Sequence, residues 1–356
     1  MPELRNRINK DELKKRLVEE AIERVTLSFY RYVTIENPKE LRDNLFLEWT
    51  HLNCFGRIYV AKEGINAQMS VPKNNWEGFV EHLNSYTYFK NVPFKIAVDG
   101  NGKSFYKLII KVKEKIVADG IDDSTFDASN TGKYLNAEAF NKAIEDPETI
   151  VIDMRNHYES EVGRFDNAFC PDADTFREEL PLVIDHLKGQ EDKKVVMYCT
   201  GGIRCEKASA YFKHKGFKDV NHLQGGIIQY AQEIKQKGLE SKFKGINFVF
   251  DERIGERITN DILSNCHQCG EPCDTHVNCK NDDCHLLFIQ CVSCAEKMIG
   301  CCTSKCRAIA ALPIEEQRVL RKGRMKNGSE CLSVYKSRLR PNLAEILKNI
   351  IPLTKS

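Results

Sequence analysis

The run Val195-Val196-Met197-Tyr198-Cys199-Thr200-Gly201-Gly202-Ile203-Arg204-Cys205 constrains this chain more than any other stretch. Its opening residues form a short apolar run, which reads as a buried parallel strand ending at a cysteine. Two glycines and an arginine follow at once, and a helical pattern runs from Glu206 to His214. Strand, small-residue turn and helix N-terminus in that order make a site for an anion. The backbone N–H groups of the turn converge there, and the helix dipole adds positive potential. Gly201 and Gly202 permit the positive φ angles that turn amides inward. A thiol at that focus loses its proton more easily than a free one. Cys199 is therefore the candidate nucleophile, and Arg204 offers a planar fork of donors to an oxyanion. The plainer alternative is a buried cysteine at a strand end. Cys205, six residues on, is either a resolving thiol or a small residue packing the first helical turn.

Loop length bears on the chemistry. Four residues separate Cys199 from Arg204. A Cys-x5-Arg phosphatase loop has a wider cradle, and in that register its arginine would fall at Cys205. The spacing argues against phosphatase activity.

At 356 residues the chain exceeds one ordinary core and implies two or three domains. With 42% apolar and 29% charged residues it has the profile of a soluble globular protein. No apolar stretch reaches the roughly 18 residues of a membrane span. Met1 to Arg24 is charged throughout and lacks the apolar core of a signal peptide, so a cytoplasmic protein is expected, with no membrane partner. Ten of the fifteen cysteines crowd into residues 266–306. That distribution suits metal binding and catalysis in a reducing compartment better than a disulfide framework.

The expected architecture is a multidomain α/β chain. In residues 1–117, strand-like runs at Val25–Val33, Arg57–Ala61, Ile65–Val71, Phe94–Val98 and Phe105–Val112 alternate with helical stretches at Pro38–Leu52 and Asn75–Leu83. The order β-α-β-β-α-β predicts a ferredoxin-like α+β domain. Its polar turn Lys62-Glu63-Gly64-Ile65-Asn66 is either a site lining or a plain hairpin turn. Residues 118–134, rich in Asp, Ser, Thr and Gly, read as a linker. Residues 135–240 alternate strands and helices, which predicts a parallel sheet with ligands at the carboxyl ends of its strands. Cys199 lies at such an end. Asp153 and Arg155 lie at another, where a mutual ion pair would brace the loop.

Residues 241–312 hold the cysteine cluster. Cys266-x2-Cys269 and Cys291-x2-Cys294 have the spacing by which two thiolates from one turn reach the same zinc ion. Cys279-x4-Cys284 and Cys302-x3-Cys306 offer a second, interleaved site. With Cys273 and Cys301 the ten thiols exceed the eight ligands of two ions, so spacing leaves the set open, and disulfides remain an alternative. A structural role is expected, since closed thiolate sites fold segments that lack a core. Residues 313–356 form a basic tail. From residue 318 onward it carries a net charge of +8 on a chain whose total is +2. Such a segment is either an electrostatic footprint for a polyanion or a solvated tail.

The Cys199 loop resembles the active-site loop of rhodanese-like domains, whose cysteine carries a persulfide. Thr149–Glu159, with its Asp-x-Arg and following Glu, Gly163-Arg164-Phe165, and Val220–Ile227 with its glycine turn extend the likeness. Taken together, a ferredoxin-like domain, a rhodanese-like domain carrying Cys199-Thr-Gly-Gly-Ile-Arg-Cys-Glu-Lys207, and the run Cys266-His267-Gln268-Cys269-Gly270 are similar to the bacterial tRNA uridine hydroxylase family. The resemblance covers about residues 20–310. It implies tRNA as partner, oxygen-dependent formation of 5-hydroxyuridine at the wobble position, and Cys199 as the rhodanese-type cysteine. No flavin or nicotinamide motif is seen, and no stable protein partner is implied. Loop chemistry alone favours a different reading, a sulfurtransferase passing persulfide sulfur from Cys199 to an acceptor.

Overall fold

The computed structural model describes residues 10–20, 22–98 and 104–326. Of the basic tail expected over 313–356, residues 313–326 are described, and 327–356 lie outside the described residues. The chain divides into two compact units. The first comprises Met1–Asn156, Phe165–Lys242 and Asn247–Ile258, and the second His157–Arg164, Phe243–Ile246 and Thr259–Ser356.

The first unit opens with α1 (Lys10–Glu19), a helix the charged N-terminal composition concealed. Next come β1 (Arg24–Tyr32), α2 (Pro38–His51), β2 (Phe55–Ala61), β3 (Gly64–Pro72), α3 (Trp76–Ser85), β4 (Lys95–Ile96) and β5 (Leu108–Val112). The sheet order is β4-β1-β3-β2-β5. Its first four strands have the ferredoxin-like arrangement, and β5 adds an edge strand parallel to β2. The last two strands are shorter than expected, with β4 only two residues long. The starts and faces of the elements follow from local chemistry. Asn37 caps α2 by accepting from Glu40 N, and Pro38 sits where its missing N–H costs nothing. Leu41, Leu45 and Trp49, at helical spacing, bury against Phe29 of β1 and Phe79 of α3. The Phe29 and Trp49 rings meet edge-to-face at 6.5 Å.

The same unit continues with β6 (Lys133–Leu135), α4 (Ala137–Ile144), β7 (Ile150–Asp153), α5 (Phe176–His186), β8 (Lys194–Tyr198), α6 (Ile203–His214), β9 (Asp219–Leu223) and α7 (Gly226–Lys237). The first strand, β6, begins two residues inside the expected linker. The sheet is parallel throughout, in the order β6-β9-β8-β7. Strand β8 is central and wholly apolar after Lys194, as expected of a strand covered on both faces. Its core joins Val195, Met197, Ala208, Phe212 and Phe217, and includes Cys199 and Cys205. Helix α6 begins at Ile203, three residues before the expected start, because Gly202 takes the left-handed turn at φ +94°.

The second unit has little apolar matter. A two-stranded ribbon pairs β10 (His276–Asn278) with β11 (Leu287–Ile289). Three helices follow: α8 (Val292–Met298), α9 (Ser304–Ala310) and α10 (Ile314–Lys326). Its buried clusters are mostly sulfur: Cys266 and Cys273 with Val162 and Ile289, and Cys279 and Cys301 with Phe288. No helix among the described residues is long and apolar enough to cross a membrane.

Candidate active site and metal centres

Cys199 lies one residue beyond β8, in the turn that leads into α6, and is fully buried. Its sulfur accepts a hydrogen bond from Gly202 N at 3.1 Å. Burial raises its pKa, but the Cys205 thiol, the Arg204 charge and the backbone N–H groups of Cys205 and Arg204 together outweigh that, leaving it at about 6. The thiolate thus sits in a nest of amides at a helix N-terminus. Burial and the neighbouring Cys199 push the Cys205 thiol well above the usual range, so Cys205 stays protonated. Cys205 is fully buried, packing the first helical turn as one of the two sequence alternatives held, and in addition it donates a hydrogen bond to Cys199. Arg204 turns its guanidinium toward Thr200 Oγ1 at 3.3 Å and over the Phe250 ring at 6.0 Å. It acts on Cys199 through its charge and its backbone amide.

A second helix start holds the loop from the other side. Ile227 N and Ile228 N, in the first turn of α7, donate to the carbonyls of Cys199 (3.0 Å) and Thr200 (3.2 Å). Only glycine fits at position 226. Its φ is +67°, and a Cβ there would lie 2.5 Å from the Cys199 carbonyl oxygen.

Asp153 and Arg155 meet as the sequence predicts. The guanidinium grips the carboxylate with two bonds, Nε to Oδ1 at 2.8 Å and the second nitrogen to Oδ2 at 2.6 Å, with both side chains fully buried. Tyr198 Oη donates to the same Oδ2 at 2.8 Å. Sequence reading missed this hydroxyl, although a tyrosine at the end of an apolar buried strand signals a polar partner. The trio ties the end of β7 to the end of β8, immediately before Cys199.

A second network was visible in the sequence only as the polar Lys62–Asn66 turn. Lys207 of α6 is buried, and its ammonium meets Glu63 Oε2 at 2.7 Å and also Asp119. Asp119 takes a further bond from Lys115 Nζ at 2.6 Å, and Glu63 one from Ile116 N at 2.7 Å. Burial raises the Asp119 pKa, but the Lys115 and Lys207 bonds reverse this and hold it below the usual value. The Lys62–Asn66 turn is thus a hairpin turn that also clasps the helix following Cys199.

In the second unit the thiols sort into two groups of four: Cys266, Cys269, Cys291 and Cys294, and Cys279, Cys284, Cys302 and Cys306. Within each group the sulfurs lie within 4.8 Å of one another. A tetrahedral zinc ion with Zn–S bonds of ~2.3 Å requires sulfurs about 3.8 Å apart. Cys269 and Cys291 are separated by 3.6 Å, and Cys302 stands 3.7 Å from both Cys284 and Cys306. These separations fit the ion, and no described cysteine is in a disulfide. The two centres repeat one design. Cys291 caps α8 with Cys294 in its first turn, while Thr303 caps α9 between Cys302 and Cys306. Backbone N–H groups reach Cys266, Cys279 and Cys291, a contact that suits thiolates. Hydrogen bonds among the second four hold Cys279 down at about 6 and push Cys284 and Cys302 far up, because the crowded sulfurs share protons among themselves. Cys273 and Cys301 pack into the small cores instead. His267 belongs to neither group, since its nitrogens engage Glu161 at 2.8 Å and Ile289 N at 3.2 Å.

Three family models match the chain: a UPF0176 acylphosphatase-like domain over residues 24–116, a rhodanese-like domain over 136–233, and a rhodanese C-terminal model over 244–307. A Leptospira interrogans protein named tRNA uridine(34) hydroxylase is 56% identical over 348 residues, spanning 98% of this chain and 94% of its own length. Proteins of the same name from Enterobacter sp. and Yersinia pestis are 54% identical over 344 residues, spanning 96% of this chain and 98% and 97% of theirs.

Proposed function

The chain belongs to the tRNA uridine(34) hydroxylase family, and we propose that it converts the wobble uridine of tRNA to 5-hydroxyuridine, with molecular oxygen as co-substrate and a separate two-electron donor reducing its second oxygen atom to water. The observation that carries this is the 56% identity over 98% of the chain. In this reading Cys199 is the reactive group. The amides of Gly202, Arg204 and Cys205 hold its negative charge, the Cys205 thiol donates to it, and Arg204 supplies a counter-charge. Asp153, Arg155 and Tyr198 keep the strand ends in place, and Gly202, at φ +94°, gives the turn its shape, whereas Gly201 does not take the positive φ the sequence reading expected of it. Two zinc ions, on Cys266, Cys269, Cys291 and Cys294 and on Cys279, Cys284, Cys302 and Cys306, supply structure. The protein works in the cytoplasm, with tRNA as its partner.

One observation favours a second reading. Amides that hold a thiolate at Cys199 would also hold the terminal sulfur of a persulfide, which is sulfurtransferase chemistry. Mass spectrometry of tRNA nucleosides separates the two. Cells lacking the protein should lose 5-hydroxyuridine and its derivatives, and Cys199→Ser, which keeps the volume but cannot form a thiolate, should not restore them. Thionucleosides that fall while hydroxyuridine holds level would replace the first reading with the second.

A further inference from the structure

Within the first unit a cavity of about 520 Å³ opens beside the Cys199 loop. Its lining includes Tyr30 and Lys95 of the ferredoxin-like sheet, Tyr134, Glu206 of α6, and Gln224 and Gly225 at the entry to α7. The loop forms part of the surroundings. A Cβ built on Gly202 would lie 2.9 Å from Tyr30 Oη and 3.6 Å from Gly225. The volume is within the usual range for small-ligand sites, which runs from about 300 to 1,000 Å³.

The charges in this cavity do not cancel. Glu206 is already engaged, since Tyr30 Oη donates to one of its oxygens at 3.0 Å and Tyr134 Oη to the other at 2.7 Å. Lys95 is only 7% exposed, and its ammonium lies over the Tyr30 ring at 3.9 Å. Among the described residues it has no ion pair and no hydrogen bond. Burial, together with the nearby Arg31 charge, lowers its pKa to about 8, against the raising effect of Glu206 and Cys199. A buried ammonium without an acceptor is costly unless a ligand supplies one. Lysine offers donors and nothing else. Tyr134 adds an open aromatic face, half-exposed and backed by the His222 ring at 4.4 Å. Splayed single-stranded bases stack on such rings, and their edges are read by hydrogen bonds.

Resting on the hydroxylation reading, we propose that this cavity receives the base of the target nucleotide, and that Lys95 selects uracil over cytosine by donating to the 4-carbonyl oxygen. Uracil presents an acceptor at that position, whereas cytosine presents an amino group, which would face the ammonium donor to donor. Tyr134 is the stacking face, and the Gln224 amide can both donate to and accept from the neighbouring imide edge. The base would then lie beside the loop that holds Cys199.

Fluorescence anisotropy with the full-length protein and anticodon stem-loops differing only in U34 or C34 tests this. A charge-assisted hydrogen bond of about 1.5–3 kcal/mol predicts that the wild type prefers U34 by roughly tenfold or more. Lys95→Met should bring the ratio near one, and Lys95→Arg should retain the preference. Lys95→Gln, whose oxygen can accept from the cytosine amine, should lower the ratio relative to wild type. A wild-type ratio of one, or a Lys95→Met protein that keeps the wild-type ratio, overturns the proposal. Product formation on the U34 stem-loop is measured in parallel. Discrimination without hydroxyuridine would defeat the hydroxylation reading and leave the pocket. Hydroxyuridine with discrimination indifferent to Lys95 would do the reverse.

Discussion

The Cys199 loop and the cysteine-rich segment set cysteine sulfur in opposite surroundings. At Cys199 the protein itself supplies the positive field, through inward-turned amides, a neighbouring thiol and an arginine, all set in the apolar core of a parallel sheet. In residues 266–306 eight thiols face one another in fours, with a few amides around them and almost no apolar core. One thiolate is held by a fold that already exists. The other eight stand in two fours, each of which could hold a metal ion. A single low-pKa thiol backed by a core suits reactivity, whereas a closed set of four suits structure.

The contrast breaks most visibly on metal removal. Structural zinc in small motifs contributes apparent binding energies of about 10–16 kcal/mol. Strong chelation should therefore release about two zinc ions and erase hydrogen-exchange protection in residues 266–306, while the Cys199 sheet stays protected. Retained protection in the zinc-free protein would show that the second unit folds without a cation. A smaller effect is expected at Lys207, where Lys207→Met leaves buried Asp119 and half-buried Glu63 without their shared cation. Breaking a buried pair from one side costs about 3–5 kcal/mol, to be read by denaturant titration. Tyr198→Phe removes one of the donors on Asp153 and should cost about 1–3 kcal/mol, without altering zinc content.

The finest test concerns the loop's own titration. Alkylation of Cys199 should follow a midpoint near pH 6, and Cys205→Ala, which removes a donor to the thiolate, should move that midpoint upward. A midpoint near 8.5, the value of a free cysteine, would mean that the amide nest does not hold the charge. The same shift has a stability sign. A folded pKa lowered from 9.0 to about 6 favours the native state fully above about pH 9, and that advantage fades as pH falls through 6.

What could be read from sequence was what lies within a few residues. The strand, turn and helix around Cys199, the Asp153–Arg155 pair, and the spacing of Cys266 with Cys269 or Cys302 with Cys306 are local patterns with a direct geometric meaning. Spacing also offered two interleaved fours, with Cys284 beside Cys279, although it could not by itself set Cys273 and Cys301 aside; the fold does that by packing them into the small cores. Lys95, Glu63, Asp119 and Lys207 carried no such signal. Glu63 and Lys207 stand 144 residues apart, and nothing near either announces a buried charge. Strand β4 was overextended because Phe94 packs against the core without pairing, so its apolar character mimicked a longer strand.

The Lys207 clasp also bears on how far this protein can be taken apart. Glu63 and Asp119 both lie before residue 135, where the rhodanese-like stretch begins, and Lys207 lies well inside that stretch. A fragment cut at that boundary would retain the nucleophile loop but leave an ammonium on α6 with neither of its carboxylates. The two folds are therefore not interchangeable modules on a string: the helix that presents Cys199 carries a buried charge whose partners stand outside the rhodanese-like stretch, and a rhodanese domain grafted in its place would need a cation at the position of Lys207 to satisfy Glu63 and Asp119.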